Sequence, residues 1–466
     1  MTSGTEASVP SVEQLRERVR SGMPRVRDEL ATLVAFRSIA DPEQAPPSEC
    51  RAAAEWVRDA LRDVGITDAE LYDTSDGSAA VIGRRPAAPG APTVLLYSHY
   101  DVQPAGDESL WNTPPFELTE RGGRWYGRGS ADCKGNVLMH LSALRALADD
   151  AEVGVVVVCE GSEETGTGGL EDLVRERPEL FASDIVVIGD TGNIAVGTPT
   201  LTTSLRGMAI IRVDIETLNG AVHSGMYGGP APDALVALVA VLASLHDEHG
   251  NTTIDGVDGT GRWQGADYPV DRFRDDAGVR DGVDLAGSGS IADHLWARPS
   301  VTVMGIDCPP VVGSAAAVVP RASARIGLRI PPGMDAERTR DLLIEHIEKA
   351  APWSVRVSVT PDAVGAPFSA RTDGPAYSAL LGALGDAYGQ PVQFAGQGGS
   401  IPLCTALQRA VPDAEMVLMG VEEPLCTIHA PNESVDPTEI ENIAVAEAAF
   451  LSRVPGEWRL RASDRG

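Results

Sequence analysis

Val153–Gly166 reads VGVVVVCEGSEETG, an apolar run that ends in a pair of glutamates held between glycines. The run Val153–Val158 is short, β-branched and uncharged, the composition of a strand buried on both faces. Glu163 and Glu164 follow it closely, just before Gly166. Like charges side by side repel unless something binds one of them. A metal ion does so: one carboxylate ligates, and its neighbour stays free to move a proton. An exposed acidic turn is the plainer explanation, and the rest of the chain has to decide between the two.

Outward from this stretch the same arrangement recurs. Thr93–Tyr97 (TVLLY) runs into Ser98–Pro104 (SHYDVQP). Residues two apart on a strand face the same way, so His99 and Asp101 project together, as a metal-bound imidazole and the carboxylate that orients it would. Asp184–Ile188 (DIVVI) ends at Gly189 and Asp190, and Glu415–Gly420 (EMVLMG) precedes Cys426–Pro431 (CTIHAP), which holds His429. In Gly123–Gly135 (GRWYGRGSADCKG), Asp132 stands between glycine turns and a predicted helix, Asn136–Ala148. An acidic helix cap explains it simply, and the spacing is not that of a phosphate-binding loop. Short apolar strands separated by helices, each closely followed by His, Asp or Glu, predict an open α/β sheet with its site beyond the carboxyl ends of the strands. His99, Asp132, Glu164, Asp190 and His429 all suit zinc or a similar divalent ion. The histidines in or beside helices (His140, His246, His249, His346) and His294 in a polar loop read as surface or packed residues.

From Gly207 the pattern changes. Met208–Glu216 (MAIIRVDIE) and Trp353–Thr360 (WSVRVSVT) alternate like half-buried antiparallel strands, as does Arg325–Ile330 more briefly. Asp233–His246 and Ala336–Ala350 read as helices, and Gly250–Ser290 as a long loop or local elaboration. The first domain resumes near Pro367, with a helix over Gly374–Tyr388 and a glycine-rich loop at Gly396–Ser400. The division is therefore 1–206, an α+β insert over 207–362, and 363–466. One or two helices within Ser11–Ile39, and another over Cys50–Val64, precede the first strands.

The 466 residues are 43% hydrophobic and 23% charged, ordinary for a globular protein of two domains. The formal net charge of −29 argues against nucleic acid and anionic membrane surfaces as partners. No apolar run approaches the ~18 residues of a membrane span. Met1–Glu13 has neither the basic nor the apolar region of a secretory signal, and the six cysteines are scattered without a CxxC pair. These features predict a cytoplasmic protein.

In order along the chain, SHYDVQP, GRGSADCKG, EGSEETG, Asp190, HSGMYGG (223–229), GGSIP (398–402) and His429 together resemble one family. It is that of the di-zinc metallopeptidases, which includes carnosine-type dipeptidases, acetylornithine deacetylase, succinyl-diaminopimelate desuccinylase and glutamate carboxypeptidase. The likeness spans about residues 15–455. It implies a zinc-peptidase-like mixed sheet flanked by helices, interrupted by an α+β lid and dimerisation domain, in a homodimer. It also implies two divalent ions, zinc by preference, with cobalt or manganese tolerated by the same ligands. Asp132 would bridge them, His99 and Asp190 would complete one site, and Glu164 and His429 the other. A water acidified by the metals would attack an amide carbonyl, Glu163 would carry its proton to the leaving amine, and Asp101 would hold the ring of His99. The Asp132–Cys133 peptide bond would be cis. His223 would reach across the dimer to the scissile carbonyl, Arg329 (in GLRIPPG) would hold the substrate carboxylate, and Gly399 and Ser400 would line the substrate site.

One departure bears on substrate. Carnosine-type dipeptidases carry Arg-Glu before GGSIP, where the glutamate receives the substrate's amino group; this chain has Gly396 and Gln397. An amide accepts a hydrogen bond from an ammonium but supplies no countercharge. Asp190, where some relatives have glutamate, is more typical of amino- and dipeptidases. The expected activity is hydrolysis of a dipeptide or small peptide-like amide. An N-acyl-amino-acid deacylase is the alternative, and a non-catalytic binding protein that kept the fold is a third reading.

Overall fold

The computed structural model describes residues 9–147, 151–399 and 401–464. The end of the helix predicted to Ala148, and Ser400, lie outside the described residues.

Most of a nine-stranded mixed sheet lies in the first unit. Its strands run in the order Glu70–Asp73, Ala79–Arg85, Gly154–Glu160, Thr93–His99, Ile185–Gly189, Glu415–Met419, Thr200–Leu205 and Phe368–Ser369, with Gln393–Gln397 also paired to Thr200–Leu205. The central four, from Gly154–Glu160 to Glu415–Met419, are mutually parallel, and antiparallel strands flank them. Every residue of Gly154–Glu160 and of Glu415–Met419 is buried, as uninterrupted apolar runs in a parallel sheet require. Helices flank the sheet. Val12–Ala35, Lys134–Ala146, Pro375–Tyr388 and Pro437–Asp464 pack on one another, and Leu30, Leu138, Leu380 and Phe450 share a core with Val94, Leu96, Val155 and Val157 of the strands. No helix among the described residues is long and apolar enough to cross a membrane.

The inserted unit is built on a four-stranded antiparallel sheet in the order Ser300–Asp307, Arg321–Ile330, Gly207–Glu216 and Arg356–Gly365. Ala209, Ile211, Val213 and Ile215 alternate inward and meet Leu238, Leu343 and Ile347 of the helices Ala234–Ala243 and Ala336–Ala350. The last strand starts at Arg356 instead of Trp353, because Trp353 and Ser354 turn with φ of 56° and 53°. The segment expected to be a long loop or local elaboration over Gly250–Ser290 contains a helix, Val270–Asp276, and packs Trp263 edge-on to Trp296 at 5.2 Å. Hydrophobic periodicity missed this helix because only two of its seven residues, Val270 and Phe273, are apolar.

The compact units are 1–203, 370–395 and 402–466 on one side, and 204–369 with 396–401 on the other. The glycine-rich loop Gly396–Ile401 thus groups with the insert, although the sequence division assigned it to the last segment.

Candidate active site

The carboxyl ends of the four parallel strands carry the residues singled out in the sequence. His99 is the last residue of its strand, Asp190 follows Gly189, Glu163 and Glu164 follow Glu160 by one turn, and the strand ending at Met419 leads to His429. Asp132 arrives from the glycine-rich loop ahead of helix Lys134–Ala146, and its peptide bond to Cys133 is cis. Gly129 in that loop has φ +79° and lies so close to Val102 that a Cβ would sit 2.4 Å from its side chain.

Asp132 faces both histidines, one oxygen to each. Its Oδ1 is 3.1 Å from His99 Nε2, and its Oδ2 is 3.0 Å from His429 Nε2. Asp190 Oδ1 approaches the same His99 nitrogen at 3.2 Å, and Glu164 Oε2 the same His429 nitrogen at 3.1 Å. One ring nitrogen holds at most one proton, so two carboxylates converging on each nitrogen leave an acceptor unsatisfied on each side. This geometry fits two divalent cations with Asp132 between them. The ligand atoms of Asp132, Glu164 and His429 lie within 4.8 Å of one another, as do those of His99, Cys133 and Asp190.

The electrostatics agree with that fit. Burial pushes the Asp190 carboxyl up to about 6, against the pull of His99. Burial would raise Asp132 too, but the hydrogen bonds of His429 and His99 hold it below the usual carboxylate range. Hydrogen bonds to Asp132 and Glu164 lift His429 to about 10.

Asp101 does more than the sequence indicated. Its Oδ1 lies 3.3 Å from His99 Nδ1, and its backbone oxygen 3.1 Å from the same nitrogen, which turns Nε2 toward the acids. The same carboxylate accepts the backbone N–H groups of Glu163 (3.2 Å) and Glu164 (3.0 Å). One buried side chain therefore fixes the histidine and the glutamate turn together. Glu163 makes no ion pair among the described residues; burial, then Asp190, raises its carboxyl well above the ordinary range. That suits a group that takes up and returns a proton.

Several supporting residues escaped the sequence reading. Gln103 holds Glu164 through its backbone N–H (3.2 Å) and its side-chain amide (2.9 Å). Glu422 is buried, accepts Asn136 Nδ2 at 3.0 Å, and brings a carboxylate within 4.8 Å of Asp132 and Asp190. Glu422–Glu423 is a second acidic pair shortly after a buried strand, so the argument made for Glu163–Glu164 would have found it. Glu433, fully buried, accepts Arg128 Nη1 (2.7 Å) and the N–H groups of Gly129 (2.9 Å), Ala131 (3.1 Å) and Asp132 (3.1 Å). His140, read as a surface or packed histidine, is packed: Nδ1 meets Glu447 at 2.8 Å and Nε2 the carbonyl of Tyr97 at 3.0 Å.

The remaining candidates lie in the inserted unit. His223 is exposed; its Nδ1 accepts the N–H of Gly225 at 3.1 Å, which leaves the proton on Nε2. Arg329 is half-buried on its strand, and Gln397 has its Oε1 buried with no donor. A Cβ on Gly399 would meet no atom within 4 Å among the described residues.

A mixed α/β sheet whose strand ends gather a shared aspartate between two imidazoles defines a metal-dependent hydrolase. The chain belongs to peptidase family M20/M25/M40, whose sequence pattern it matches over residues 95–453, in keeping with the resemblance in its motifs. It is 48% identical over 434 residues to a cysteinylglycine-S-conjugate dipeptidase of Corynebacterium striatum, covering 92% of this chain and 95% of that protein. In structure it is similar to human carnosine dipeptidase 1, with TM-score 0.79 and 25% identity, covering 96% and 100% of the two chains. The dipeptidase Dug1p of Saccharomyces cerevisiae shares the fold at TM-score 0.80 and 24% identity, covering 96% and 99%.

Proposed function

We propose that this metal-dependent dipeptide hydrolase removes the carboxy-terminal residue of small dipeptides with a free amino group, S-substituted cysteinylglycines among them. The two-sided contact of Asp132 with His99 and His429 carries the reading. The site would hold two divalent ions, which we take to be zinc, and when bound these would supply a polarised amide carbonyl and an acidified water. Asp132 would serve both ions, His99 and Asp190 would hold one, and Glu164 and His429 the other. Asp101 orients His99 through Nδ1 and pins the amides of Glu163 and Glu164. Glu163 takes a proton from the water at its carboxylate and delivers it to the leaving nitrogen. Arg329, Gly399 and Ser400 contact the substrate, and His223 donates Nε2–H to the scissile carbonyl oxygen across a homodimer. The dimer is supported by Val236 and Val239, exposed by 54% and 53% on an apolar helix of the insert. The six cysteines are free, which supports a cytoplasmic location.

Gln397 decides between dipeptidase and deacylase. Its Oε1 is a buried acceptor without a donor, a place an ammonium group would satisfy. The absence of a countercharge is what favours the deacylase. Turnover of a dipeptide panel against the same peptides N-acetylated, with zinc, cobalt or manganese, separates them. Cleavage confined to the free-amine set is expected, with Gln397→Glu raising kcat/KM on it; cleavage confined to the acetylated set would overturn the assignment.

A further inference from the structure

Arg206, at the end of strand Thr200–Leu205, is only 7% exposed and forms no ion pair with any carboxylate among the described residues. Its Nη1 donates to Ser300 Oγ at 2.9 Å and to the carbonyl of His294 at 3.3 Å, both neutral acceptors. Its Nε is buried without a partner. The glycine-rich loop runs against the same guanidinium: a Cβ on Gly398 would lie 2.9 Å from Nη2, and the backbone oxygen of Gln397 accepts Arg206 N–H at 3.1 Å.

A second unneutralised guanidinium stands beside it. Ser300, which Arg206 touches, is the direct cross-strand partner of Arg329, so the two side chains project from one face of the sheet. Arg329 likewise has no carboxylate partner among the described residues. Burial, and then Arg329, brings Arg206 down to about 10. Buried charges are ordinarily paired. Here two cations share one face of the sheet without a carboxylate partner among the described residues, in a chain with 67 acidic residues and 38 basic ones.

We propose that Arg206 is a specificity-determining residue that joins Arg329 in gripping the terminal carboxylate of the substrate, one planar fork for each side of the anion. This rests on the dipeptidase reading. A carboxylate matches paired guanidinium forks, and a dipeptide brings one carboxylate, at the end remote from its amine. Arg206 thereby makes the enzyme select free carboxy-terminal acids over amides and esters.

The test compares kcat/KM for a dipeptide and for its carboxy-terminal amide in the wild type, Arg206→Gln, Arg206→Lys and Arg329→Gln. The acid-to-amide ratio is expected to fall roughly 10–100-fold in Arg206→Gln, mainly through KM on the acid, and less in Arg206→Lys, which keeps the charge. An unchanged ratio, with both rates lowered together, would reduce Arg206 to a prop for the loop and overturn the proposal. Should Arg206→Gln fail to fold, Arg329→Gln decides: a residual preference for the acid supports a second arginine, and complete loss refutes it. Calorimetric binding of a reduced-amide dipeptide, as acid and as amide, separates this proposal from the reading beneath it. Acid-selective binding that depends on Arg206 without turnover of any dipeptide would sink the dipeptidase reading alone. Absence of acid-selective binding would sink the carboxylate clamp.

Discussion

Replacing Glu433 should damage the protein far more than its distance in sequence from Asp132 suggests. Its Oε2 receives Arg128 Nη1 and Gly129 N–H, and its Oε1 receives the N–H groups of Ala131 and Asp132. Arg128 and Glu433 are 2% and 0% exposed. Removing one partner of a buried ion pair costs ~3–5 kcal/mol, because the other charge is left without compensation. In a unit of this size that lowers the unfolding temperature by about 5–10 °C. Glu433→Gln should be nearly as harmful as Glu433→Ala. Whichever way the amide turns, its NH2 replaces an oxygen that faces two donors. The same change loosens the loop that presents Asp132, so affinity for divalent metal should fall about 10–100-fold. Scanning calorimetry and a competitive chelator titration measure both effects. Adding Arg128→Met to Glu433→Gln removes the orphaned charge, so the double variant should lose less stability than the two singles summed. An unfolding temperature within about 2 °C of wild type for Glu433→Gln, or strict additivity in the pair, would refute the reasoning.

Two further outcomes follow from the same geometry. On the proposed division of labour, in which Glu163 moves a proton and Glu164 ligates, Glu163→Gln should lower kcat by about 10²–10⁴-fold and leave the metal content unchanged; metal analysis showing loss of an ion would contradict it. His140 donates from both ring nitrogens, and although burial lowers its pKa, Glu447 outweighs this and raises it. A raised folded-state pKa gives stability that is complete below the unfolded value of ~6.5 and is lost as pH rises through the folded value. The stability gap between wild type and His140→Gln should therefore narrow as pH increases; a gap that widens would mean the ring is neutral in the fold.

The sequence by itself determined the sheet and most of the candidate ligands, because both write local signals. A strand buried on both faces must be an unbroken apolar run, and in a parallel sheet the functional groups follow such runs directly. That is why His99, Glu164 and Asp190 were legible at the ends of Thr93–His99, Gly154–Glu160 and Ile185–Gly189. Asp132 has a plainer local explanation as a helix cap and His429 lies well beyond the strand that ends at Met419, so the ordered set of motifs strengthened both. Only the tertiary structure decided which charges share a space. Asp101 pinning the Glu163–Glu164 turn, Glu433 tying down the loop of Asp132, and Arg206 meeting Arg329 through Ser300 join residues about 60, 300 and 120 positions apart. Such partners leave no periodic trace, because a buried polar group needs its counterpart in space and not at any fixed spacing along the chain.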